Sequence, residues 1–168
     1  MLNVVMDTGV IISAYLWWGQ SRQCLDGARA GGYTLGCSSE IESELRAVLA
    51  SSRFALSHDE IDTTLVDLHA IAQFSDAPVM TEGDVAAPVP FASAALACAA
   101  RTGAQFVVSG DARLIALKKS GRARVISPGE LMFRLERERT RRLAADERRA
   151  AKAGDDGDGG ESDEQDPA

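Results

Sequence analysis

Short continuous apolar runs and helix-spaced apolar stripes take turns along this chain. Leu2 to Met6 is a short, largely apolar run with β-branched members that stops at Asp7. That pattern predicts a strand buried on both faces rather than one face of an exposed sheet. Val10 to Trp18 is apolar and predicts a helix ending near Gly19, and Gln23 to Ala30 predicts a second helix closed by Gly31-Gly32. Tyr33 to Cys37 reads as a second strand. Ser39 and Glu42 have capping-box spacing, and Ile41, Leu45, Val48 and Leu49 then form one apolar face. His58 to Phe74 predicts another amphipathic helix, with Ile61, Leu65, Leu68 and Ile71 near helical spacing.

Farther along, Pro78 to Thr81 reads as a brief edge strand, and the two prolines and one glycine between Glu82 and Pro90 make that segment irregular. Phe91 to Ala100 is an alanine-rich helix that stops before Gly103. Gln105 to Val108 is a strand with Ser109-Gly110-Asp111 as its exit. Ala112 to Lys119 is a short helix, and Arg124 to Ile126 a last strand. Ser127-Pro128-Gly129-Glu130 opens a final helix, with a serine cap, proline at the first helical position and glutamate at the third. Strands alternating with helices predict an α/β fold whose mostly parallel sheet is covered on both faces. Ligands bind such sheets beyond the carboxyl ends of the strands. Asp7 and Asp111 both stand at such ends.

The domain pattern fades after Phe133. The compact domain is expected over 1–135, followed by an Arg/Glu-rich helical extension over 136–152 and an acidic tail over 153–168 that is too polar to fold. Charge follows the same division. The net charge of −7 divides into −4 for Met1 to Phe133, +4 for Arg134 to Lys152 and −7 for the remainder. The overall acidity therefore excludes no partner, nucleic acid included. The extension is expected to be a solvated mixed-charge helix, with RNA phosphates as the alternative contact for its arginines. The length of 168 residues suits one domain with an appendage, and the 45% of hydrophobic residues is ordinary for a globular chain. Three widely spaced cysteines, Cys24, Cys37 and Cys98, suggest buried thiols rather than a disulfide framework or zinc site. The N-terminus lacks a basic leader, and no apolar window is long enough to span a bilayer. A cytoplasmic location with no membrane partner is expected.

Asp7, Glu44 and Asp111 are the residues with candidate chemistry. Carboxylates from separate elements that converge at one sheet edge can hold Mg²⁺ or Mn²⁺, which phosphodiester hydrolysis uses to activate water. Each also has a structural explanation. Asp7 and Asp111 lie between a strand and a helix, where aspartate is a favoured cap. Glu44 follows Glu40 and Glu42 on a helix whose acids can form its solvated face, and periodicity does not separate Glu42 from Glu44. Capping-box spacing makes Glu42 the partner of Ser39. Trp17 and Trp18, beside Gly19, suit base stacking, a dimer contact or packing on a neighbouring helix. No glycine-rich phosphate loop follows the first strand, which argues against a nucleotide-binding protein of Rossmann type.

Four segments carry a resemblance. They are Val5-Met6-Asp7-Thr8-Gly9-Val10-Ile11-Ile12-Ser13, the Ser38 to Leu49 run with its Glu44-Leu45 pair, Gly103 to Asp111 followed by Leu114, and Val125-Ile126-Ser127-Pro128-Gly129-Glu130-Leu131. In this order and spacing they resemble the PIN-domain family over about Leu2 to Leu135, closest to toxin components of prokaryotic toxin–antitoxin pairs. The resemblance implies a Rossmann-like three-layer α/β/α sandwich and Mg²⁺- or Mn²⁺-dependent cleavage of single-stranded RNA. It also implies a homodimer and a cognate antitoxin protein. Carried over by position, Asp7, Glu44 and Asp111 would be the metal-site and catalytic carboxylates. Ser109 would support the last acid or a metal-bound water, and Thr8 would orient the first loop.

Two positions depart from the family pattern. Gly9 stands where an asparagine is usual. The carboxylate expected at the start of the helix before the late strand falls at Ala92, with Ser93 beside it. Neither supplies a charge, and Glu82 and Asp84 are the nearest upstream acids. A weakened metal site is the expectation, with a non-cleaving RNA- or protein-binding domain as the alternative.

Overall fold

The computed structural model describes residues 1–76 and 93–155, with side chains described as far as 150. Its elements follow the order β1 (Asn3–Met6), α1 (Thr8–Leu16), α2 (Gln20–Arg29), β2 (Thr34–Cys37), α3 (Ser39–Leu49), α4 (His58–Ile71), β3 (Ala72–Phe74), α5 (Ala94–Thr102), β4 (Phe106–Val108), α6 (Ala112–Ala116), β5 (Lys119–Ser120), β6 (Ala123–Ile126) and α7 (Pro128–Asp155). Among the described residues the strands form one six-stranded sheet in the order β3-β2-β1-β4-β6-β5. Every pairing is parallel except the β5–β6 hairpin.

Burial explains the parallel core. Val4, Val5 and Met6 are consecutive on β1 and all fully buried, so both faces of the central strand are covered. Helix α5 lies against β1, β2 and β4, while α1 packs on α2 and α3. Helix α3 turns Ile41, Leu45 and Leu49 inward, each with no exposed surface. Val48 stays partly exposed beside that stripe rather than within it.

Several boundaries differ from the sequence expectations. The predicted helix through Phe74 stops at Ile71, and Ala72–Phe74 pairs with β2 as an edge strand. The proposed strand at Pro78–Thr81 lies outside the described residues. Helix α2 begins at Gln20, ahead of its predicted start. The helix predicted to reach Lys119 stops at Ala116, because Lys118 adopts φ +58° and Gly121 φ +55°, turning the chain into a two-stranded hairpin.

The Ser39–Glu42 capping box does not form. Ser38 caps α3 by accepting from the Ile41 amide. Ser39 instead donates its hydroxyl and amide to Asp76, each at 2.9 Å. Ser127 does cap the last helix, accepting from the Glu130 amide at 3.2 Å.

The chain divides into units 1–132 and 133–168. Within the second, α7 continues as helix, Arg137 stacks over Phe133 at 5.6 Å, and Arg142 pairs with Glu138 one turn earlier. No helix among the described residues is long and apolar enough to cross a membrane.

Candidate carboxylate site

The order of the sheet fixes where a site can form. Chain connections leave β1 toward β2 on one side, while β4 lies on the other, so the strand order reverses between β1 and β4. In open α/β sheets the crevice at such a switch point, beyond the carboxyl ends of the strands, is the binding position. β1 ends into Asp7 and β4 ends into Ser109, which brings the two exits side by side. The Asp7 amide donates to the Val108 carbonyl at 2.9 Å, holding them together.

Asp7 occupies the cap position of α1, yet its side chain makes no capping hydrogen bond. Its Oδ2 accepts instead from the Ser109 hydroxyl at 2.9 Å. Ser109 has no exposed surface, and its oxygen also accepts from the Asp111 amide at 3.0 Å. On the other side, the nearly buried Thr8 donates its hydroxyl to Glu44 Oε2 at 2.8 Å. Thr8 thereby ties α3 to the first loop, and Ser109 ties the first loop to the last.

This network separates Glu42 from Glu44, which periodicity alone does not. Glu42 pairs with His69 Nε2 at 3.1 Å, away from Thr8, and Glu44 faces the site.

Asp7 feels the charge of both other acids. Burial pushes the Asp7 carboxyl above its ordinary value, and the nearby Glu44 and Asp111 charges add to the rise. The Ser109 hydroxyl and the Thr8 backbone act in the opposite direction. Asp111 behaves otherwise. It caps α6, accepting from the Arg113 amide at 2.8 Å, and its Oδ2 receives the Arg113 guanidinium at 2.7 Å. Arg113 holds the Asp111 carboxyl below the usual range. The capping alternative therefore fails for Asp7 and holds for Asp111.

The oxygen donors suit a hard divalent cation, and partly buried Asp7, with two acids adding to its pKa, has charge that a cation would neutralise. The arrangement is nevertheless open. Among the described residues no three His, Cys, Asp or Glu side chains are close enough together to hold a metal ion. Ala92, where a further acid is expected, lies outside the described residues. Ser93 caps α5 by accepting from the Leu96 amide at 3.4 Å. A Cβ at Gly9 would meet nothing within 4 Å, so the missing asparagine leaves open space rather than a filled one.

Two further features emerge only in the fold. One is the Asp111–Arg113 pair, for which the two-residue spacing after a capping aspartate is the available signal. The other is a groove of about 460 Å³ that shares Thr8, Gly9 and Glu44 with the carboxylate site and has Trp17, Val48 and Phe54 in its walls. Its aromatic members come from distant segments, so no local pattern announces it.

No curated protein matches the chain. The sequence profile described as PIN domain matches residues 3–113, ending two residues beyond Asp111. That span holds β1 through the start of α6 and all three candidate carboxylates. With the parallel sheet and the paired strand exits, it identifies the chain as a member of the PIN-domain family, whose members are generally metal-dependent nucleases.

Proposed function

We propose that this protein is an endoribonuclease acting on single-stranded RNA, the toxin component of a toxin–antitoxin pair, with a weakened metal site. The observation that carries this reading is the continuous network from Glu44 through Thr8 to the first loop, and from Asp7 through Ser109 to Asp111, at the sheet's switch point. Asp7, Glu44 and Asp111 would hold Mg²⁺ or Mn²⁺, which when bound supplies an activated water and neutralises charge on the phosphodiester. Ser109 fixes the Asp7 carboxylate, and Thr8 fixes Glu44. The site is weak for two reasons: an acid is absent at Ala92, and Asp111 is engaged by Arg113. A cognate antitoxin and a homodimeric state belong to this reading.

A second reading is favoured by the Asp111–Arg113 pair itself. A guanidinium that already neutralises Asp111 suits a PIN domain that binds RNA or protein without cutting. Cleavage of labelled RNA across a Mn²⁺ titration, with Ala92→Asp beside the native chain, separates the two. The nuclease reading expects native cleavage at high Mn²⁺, and a lower Mn²⁺ requirement in Ala92→Asp. Cleavage in Ala92→Asp alone would favour the non-cutting domain, and cleavage in neither would remove the nuclease reading.

A further inference from the structure

The groove beside the carboxylates has a chemistry of its own. Trp17 leaves α1 half exposed and meets Phe54, from the loop after α3, with ring centroids 5.9 Å apart and planes tilted by 58°. The Arg53 guanidinium lies 5.2 Å over the Phe54 ring, and Arg53 makes no ion pair among the described residues. Next to Trp17, the almost fully exposed Trp18 carries Arg22 at 5.3 Å over its ring. Aromatic faces interleaved with arginines are what single-stranded nucleic acid uses, since the rings stack bases and the guanidinium groups meet phosphates.

We propose that this groove is a nucleobase subsite. One base of a single-stranded RNA leaves its stack and lies against the half-exposed Trp17 ring, which the packed Phe54 ring holds in the groove wall, while Arg53 meets a phosphate beside it. The groove shares Thr8 and Glu44 with the carboxylate site, so the base it holds is close in the strand to the phosphodiester at Asp7. This deepens the ribonuclease reading and rests on it for the substrate. The subsite itself requires only that RNA binds. Stacking is tolerant of base identity because every base has a π-face, so the groove sets where the strand sits rather than which sequence is cut.

The test is binding of a short labelled single-stranded RNA to the full chain in EDTA at low salt. It is compared with an oligonucleotide of the same length whose central residues lack bases. The subsite predicts that the base-bearing strand binds about 5- to 150-fold more tightly for each base that stacks. Phe54→Ala should bring the ratio toward one. In Trp18→Phe, Trp17 is the sole tryptophan, and its emission should be quenched by the base-bearing strand alone. That measurement leaves the groove intact, so it stands even where Phe54→Ala fails to fold. A ratio of one in the native chain, an unquenched Trp17, or no binding of either strand would each overturn the proposal. A groove that receives a protein helix instead gives the first of these results. A base-dependent ratio without Mn²⁺-dependent cleavage keeps the subsite and removes the nuclease reading; cleavage with a ratio of one does the reverse.

Discussion

Replacing Ser109 with alanine removes a fully buried hydroxyl that serves two partners at once. Its donor bond to Asp7 Oδ2 is 2.9 Å, and its acceptor bond from the Asp111 amide is 3.0 Å. A hydrogen bond to an ionised group contributes about 1.5–3 kcal/mol, and a buried donor left without a partner costs about 1–3 kcal/mol. The Asp111 amide is only part-buried and can recruit water, so its loss falls at the lower end. Together these give a destabilisation of roughly 2–4 kcal/mol for Ser109→Ala at neutral pH. The loss should depend on pH. Asp7 has a folded-state pKa above its ordinary value, so its ionisation costs stability. That cost is absent below the ordinary carboxylate range and grows as pH rises through the folded pKa. Removing the Ser109 hydroxyl, which lowers that pKa, extends the window upward and enlarges the cost. Urea unfolding of both proteins, metal-free, at pH 7 and again below the carboxylate range, measures the difference. A loss under about 0.5 kcal/mol at pH 7, the size of an ordinary surface substitution, would refute this account of the network. So would a loss that does not shrink in acid.

Asp7→Asn should melt at a higher temperature than the native chain at pH 7 in EDTA, since the neutral amide keeps an acceptor for Ser109 and sheds the buried charge. The gap should close in acid, and a lower melting temperature at pH 7 would contradict it. Arg113→Ala should tighten Mn²⁺ binding measured by calorimetry, because it frees the Asp111 carboxylate from its ion pair; unchanged or weaker binding would mean that Asp111 takes no part. Leu45→Ala removes a side chain with no exposed surface next to Glu44, and should cost about 2–5 kcal/mol in urea unfolding. A much smaller cost would show that α3 is not anchored through this residue.

Most of the sheet was legible because its inner strands are continuous apolar runs with clear ends. β1 stops at Asp7, β2 follows a glycine pair, and β4 lies between Gly103 and Gly110. β3 and β5 were not legible. The first follows α4 with no intervening residue, and the second is only two residues long, so neither shows a period of its own. The cap of α3 was misread because three adjacent positions, Cys37-Ser38-Ser39, end a strand with two equally suitable hydroxyls. Distant Asp76 takes Ser39 and leaves Ser38 to cap, which is a tertiary choice. The same holds at the candidate site. Sequence order pointed to Asp7, Glu44 and Asp111, but only the fold shows that Asp7 does not cap α1, that His69 takes Glu42, and that Arg113 engages Asp111.

In the proposed ribonuclease, Asp7 anchors the metal site. The most direct measurement is the rate of cleavage of a labelled single-stranded RNA in Mn²⁺ by the native chain and by Asp7→Asn, purified identically. The account predicts cleavage by the native protein that EDTA abolishes, and a rate lower by about 100-fold or more in Asp7→Asn, as expected when a charged metal ligand is lost. Equal cleavage by the two proteins, or none by the native chain, would contradict it.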